Sequence, residues 1–134
     1  MRRLVIVFFI LLLTACGEEK KQYEQAVLAQ MQDDQDIKDY NIDPETMTEC
    51  VVDLTSKKMP GIVSIDPRRE PYYIAYSKLI SVKTSKDPRK TLQEIHEAFG
   101  STAEVRKALN NYSSGVMECI TALVSKSEKE QSEL

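Results

Sequence analysis

The chain has 134 residues, a formal net charge of −3, one histidine, three cysteines and no tryptophan. That length holds one modest domain and not two. No basic cluster is longer than a pair, so there is no electrostatic footprint for nucleic acid, and a single histidine leaves little from which to build a zinc site.

Arg2 and Arg3 precede an unbroken apolar run from Leu4 to Leu13, and Leu13-Thr14-Ala15-Cys16 follows, leading into the polar Gly17-Glu18-Glu19-Lys20-Lys21. Basic start, apolar middle and small-residue end are the parts of an export signal, in order. The apolar run is about 15 Å long as a helix, against about 30 Å for a bilayer core, so it is a cleaved signal and not an anchor helix. Leu13-Thr14-Ala15-Cys16 resembles the lipobox of bacterial lipoprotein precursors. The resemblance implies cleavage before Cys16, a lipid on its sulfur and an acyl group on the new amino terminus. Membrane attachment then belongs to the lipid, since two or more acyl chains anchor firmly. Gly17, where a familiar inner-membrane retention signal would have Asp, favours by the same resemblance the inner leaflet of an outer membrane. Loss of residues 1–15 leaves 119 residues and, without Arg2 and Arg3, a charge of −5.

With Cys16 assigned to lipid, Cys50 and Cys119 remain as an even pair in an exported, oxidising compartment, which implies a disulfide; the alternative is two buried free thiols.

Residues 16–42 are rich in Glu, Gln, Asp and Lys and carry few apolar residues. Asp33-Asp34-Gln35-Asp36 would put negative charge at the C-terminal end of any helix there. The expectation is a lipidated polar tether, partly helical at best, with a reach of roughly 25 to 30 Å if flexible. The domain proper is expected over 43–127. Asp43-Pro44 and Asp87-Pro88 pair a capping residue with a proline suited to the first helical position. Met47, Cys50, Val51 and Leu54 form one stripe of the first helix; Leu92, Ile95, His96 and Phe99 form that of the third, closed by Gly100. Asp66-Pro67 predicts a turn, with a helix from Pro71 that places Tyr72, Ala75, Tyr76, Leu79 and Ile80 on one face. Before it, Ile62, Val63 and Ile65 are expected to cover the core from an ordered loop, although they could instead form a short strand. Ser101-Thr102-Ala103-Glu104 has the form of a capping box. From Val105 to Leu123 the apolar phase holds across Ser113-Ser114-Gly115, which predicts one helix, bent or straight, and a frayed tail over 128–134. The fold class is thus all-α: a small four-helix domain with one interhelical disulfide, Cys50 and Cys119 each facing the core from its own stripe.

Chemistry is sparse. His96 sits between Leu92 and Phe99 as a core-edge residue. Glu49 with Asp53, and Glu94 with Glu97, fall toward solvent, and no haem, zinc-protease, phosphate-loop or nucleophile-elbow motif occurs. No catalytic residue, cofactor or metal is expected. The partner surface is expected at the connection from Pro60 to Pro71 and the turn after it, where Arg68 and Arg69 would rim Tyr73 and Ile74; Tyr and Arg are enriched in binding hot spots. In plan the chain is similar to the small helical pilotins of secretion systems, a likeness of architecture and not of motif. The expected function is a non-catalytic outer-membrane lipoprotein that faces the periplasm and binds another envelope protein as an adaptor or assembly factor. The alternative is a periplasmic inhibitor or immunity protein against a toxin or hydrolase, with the loop at 60–71 as the plug.

Overall fold

Capping chemistry sets where most of the helices begin. The computed structural model describes residues 17–63 and 66–133. It contains α1 (Glu18–Asp33), α2 (Gln35–Asp39), α3 (Pro44–Lys57), α4 (Glu70–Ser81), α5 (Pro88–Phe99) and α6 (Thr102–Ser132), with single 3-10 turns at Pro67–Arg69 and Val82–Thr84. The side chains of Asp43, Asp87 and Ser101 accept the backbone N–H groups of Thr46, Lys90 and Glu104, opening α3, α5 and α6. Each bond satisfies a donor that a helix start otherwise leaves orphaned. Asp66 likewise accepts the Arg68 N–H and turns the chain toward α4, which has Pro71 in its first turn.

Among the described residues the domain is all-α and carries the disulfide between Cys50 and Cys119, but it has six helices and not four. The extra two lie in the segment expected to be a tether. Tyr23, Val27 and Met31 of α1 are completely buried, and Ile37 of α2 nearly so. The acidic cluster that argued against a helix is split between two of them: Asp34 ends α1 and caps α2, its carboxylate accepting the N–H groups of Asp36 and Ile37. A charge placed badly for one helix end is placed well for the next helix start.

The other corrections follow from which faces are covered. α1 packs along both α3 and α4, so α4 is buried on more than one stripe: Tyr73, Ala75, Tyr76, Ser77 and Leu79 are all inside. Tyr23 meets Tyr73 and Tyr76 with ring centroids 5.8 Å apart in both pairs, and Tyr76 meets Phe99 edge-on at 5.6 Å. On α5 only Ile95 is fully inside and Phe99 partly, while Leu92 is 54% exposed and His96 lies at the surface. The loop residues Ile62 and Val63 point outward and do not cover the core; Ile65 lies outside the described residues. The tail expected to fray continues α6 as far as Ser132.

Through Ser113-Ser114-Gly115, α6 is one continuous helix. Gly115 is buried where α6 crosses α3, and a Cβ there would lie 3.3 Å from the Thr55 methyl. The glycine thus marks a close approach and not a break, which offsets its low helix propensity. One turn along the same crossing, Cys50 and Cys119 are bonded with Cα atoms 5.9 Å apart. Thr55 and Cys119 are fully buried beside it. α3 and α6 run antiparallel there, since contacts to earlier residues of α3 come from later residues of α6.

Candidate functional site

The connection from α3 to α4 is built by side chains that reach back into it. Gly61 has φ +96°, a conformation suited to glycine, and a Cβ at that position would fall 2.6 Å from the Asp66 carboxyl carbon. Arg69 donates through Nε to the Pro60 carbonyl at 3.0 Å and through Nη2 to the Gly61 carbonyl at 2.9 Å. Arg68 holds Asp66 with Nε at 3.0 Å and Nη2 at 2.7 Å, a two-pronged contact. These bonds hold the Asp66 carboxyl well below the usual carboxylate range, the Arg68 side chain acting most and its backbone N–H next, so the brace stays charged in mild acid. The loop presents Ile62 at 91% exposure and Val63 at 54%.

Beside this loop, α1 and α3 flank a groove of about 620 Å³ with Tyr73 and Arg69 at its base and Leu28 and Val52 along it. Ser56 Oγ and Tyr73 Oη, of two residues in the same lining, are buried and have no hydrogen-bond partner among the described residues. Buried polar groups are ordinarily satisfied, and these two hydroxyls, closed off beneath the groove, are exceptions to that. The rim is charged, and part of it is paired, Lys20 with Glu24 at 3.3 Å and Lys57 with Asp53 at 2.6 Å.

The four residues expected to form one partner surface are separated by this arrangement. Arg68 is exposed and engaged with Asp66. Arg69 is buried, its guanidinium serving loop carbonyls. Tyr73 is buried under α1, contrary to the expectation that it supplies exposed area, and Ile74 is half-buried. Covering of α4 by α1 is the reason for Tyr73, whose ring meets that of Tyr23, and the loop carbonyls are the reason for Arg69. Two of the four, Arg69 and Tyr73, nonetheless meet again at the groove. Ser56 and Val52 went unnoticed among candidate sites; a Ser directly after Thr55 on the inner side of α3 was the available signal.

Elsewhere, His96 Nε2 lies 3.2 Å from Thr102 Oγ1 and joins α5 to α6. Glu94 accepts from Lys78 at 2.7 Å, which lowers its pKa, and Glu97 accepts from Gln93. Among the described residues, no group of three or more His, Cys, Asp or Glu is placed to hold a metal ion, and no helix is long and apolar enough to cross a membrane. Cys16 and the rest of the lipobox lie outside the described residues. No family model, curated protein or solved structure matches this chain.

Proposed function

We propose that the chain is an outer-membrane lipoprotein, held by lipid on Cys16 and facing the periplasm, that serves as a non-catalytic adaptor or assembly factor for another envelope protein. The observation that carries this reading is the disulfide joining α3 to α6. Such bonds form and persist in oxidising compartments, in keeping with the export signal, lipobox and Gly17 of the sequence.

The fold changes how such an anchor works. Because α1 begins at Glu18 and packs into the core, only Gly17 separates Cys16 from the folded domain. The domain is held against the bilayer and not on a long leash, and a partner has to come to the membrane surface to meet it. The groove between α1 and α3 is the binding site in this reading: its apolar floor supplies area, and the charged side chains at its rim supply orientation.

Radiolabelled palmitate should enter the wild-type protein and not Cys16→Ala. A photo-crosslinking side chain at Gln25 or Glu49, both exposed and lining the groove, should link to one discrete envelope protein in growing cells, while the same side chain at Glu97 on α5 should not. Label retained by Cys16→Ala removes the anchor from the proposal; equal linking from Glu97 removes the groove.

A further inference from the structure

The end of the helix bundle at which the described residues begin also carries Ile62, the most exposed large apolar side chain among them. Tyr23, in the second turn of α1, hydrogen-bonds at 2.6 Å to Thr55 near the end of α3. Lys20 and Lys21 line the same groove as Lys57 and Arg69. Arg69 in turn holds the carbonyls of Pro60 and Gly61, immediately before Ile62. Gly17 and the Ile62-Val63 tip therefore share one end of the molecule. We propose that this tip dips into the interfacial layer of the lipid bilayer as a second point of attachment, fixing how the domain stands on the membrane. The inference rests on the reading of Cys16 as the lipidated residue.

Three observations choose a lipid surface. The chain outside the described residues joins at Gly17, so an anchor on Cys16 brings this end, and no other, to the bilayer. The tip is braced: Asp66 accepts the backbone N–H and the side chain of Arg68, Arg69 holds the Pro60 and Gly61 carbonyls, and Gly61 permits the close approach. Exposed aliphatic side chains on a braced loop find an apolar environment among acyl chains without ordering a slack segment first. Three basic side chains of this end are paired, Lys20 with Glu24, Lys57 with Asp53 and Arg68 with Asp66, and the tip itself carries no charge, so its insertion is driven by apolar area.

The sequence contains no tryptophan, so Ile62→Trp creates a single fluorescent reporter at a position 91% exposed. Tyr40→Trp, at the end of α2 on the opposite end of α1 and 57% exposed, is its control; Val63→Trp replaces Ile62→Trp if that variant folds poorly. The full lipidated chain is reconstituted into phosphatidylcholine vesicles with and without bromine on the acyl chains. The tip reporter is expected to emit at shorter wavelength and to lose about half its intensity or more to bromine, in low and high salt alike, while the Tyr40 reporter is unaffected. Equal response of the two reporters overturns the proposal. So does a tip reporter shielded from aqueous iodide yet untouched by bromolipid, because a protein surface, a second copy or the target of an inhibitor, then covers it. The mass of the Cys16 peptide is read on the same sample. If it lacks acyl chains, the anchor reading fails by itself, and the tip is judged by adding vesicles to that unacylated chain: bromine quenching supports insertion, and its absence overturns it.

Discussion

α1 and α6 both pack against α3, and they are held there by different means. α6 is bonded covalently through Cys50 and Cys119 and approaches closely at Gly115. α1 has no covalent link among the described residues; it is held by the burial of Tyr23, Val27 and Met31 and by two long-range hydroxyl bonds, Tyr23 to Thr55 at 2.6 Å and Tyr112 to Gln30 at 2.9 Å. Thr55 serves both neighbours. Its hydroxyl bonds Tyr23 and donates to the Val51 carbonyl, while its methyl faces Gly115. A β-branched residue with one polar and one apolar arm is what that position requires. A short polar-faced helix can thus be as deeply part of a core as a long one if its few apolar side chains are large and point the same way.

The largest expected effect tests whether α1 belongs to the core at all. Tyr23→Ala should lower stability in urea unfolding by about 3 to 5 kcal/mol, the usual cost of deleting a large buried aromatic ring. A change within about 0.5 kcal/mol, as for an exposed position, would mean that the segment is a tether after all. On the other side of α3, reduction of the disulfide should cost up to about 4 kcal/mol in the chain-entropy picture for a bridge spanning 69 residues of sequence. α6 should then remain helical by circular dichroism at low temperature while thermal unfolding shifts downward. Thiol labelling of the denatured, unreduced chain gives the qualitative counterpart, with neither Cys50 nor Cys119 reacting. The smallest effect sharpens the comparison at its shared residue. Thr55→Val keeps the methyl against Gly115 and removes the partner of the Tyr23 hydroxyl, so stability should fall by about 1 to 3 kcal/mol. Tyr23→Phe in that background should restore part of the loss, because no buried hydroxyl is then left unpaired.

The same contrast explains what could be read in advance. The boundaries of α3, α5 and the start of α6 were legible because Asp43-Pro44, Asp87-Pro88 and Ser101 to Glu104 are local signals that act within one turn. The disulfide was legible because Cys50 and Cys119 each sit on a broad apolar stripe. α1 was not, since its buried residues form a single file at i, i+4 and i+8, with mostly polar residues or alanine on the other faces. Its partner lies dozens of residues away. The site was legible only in part for a related reason: Arg69 and Tyr73 could be named from the sequence, but that they are buried and line a groove with α1 and α3 depends on contacts across the chain. Ile62 was misread in the opposite sense, since nothing within a loop's own sequence says which side of it faces the core.

The length of α6 has a practical consequence. Its 31 residues span about 46 Å, and from Ser125 onward every described side chain is exposed. These last two turns project past the body of the bundle on the side away from the Ile62 tip, because α6 and α3 are antiparallel and the early turns of α6 flank Pro60. Helix that touches nothing else is marginal by itself, helped here only by pairs such as Lys126 with Glu130 at 3.9 Å. It is thus a ready-made mast for instrumentation: a fluorophore, purification handle or fused reporter attached along it sits far from the groove and the loop tip, and leaves the disulfide-linked core unaltered.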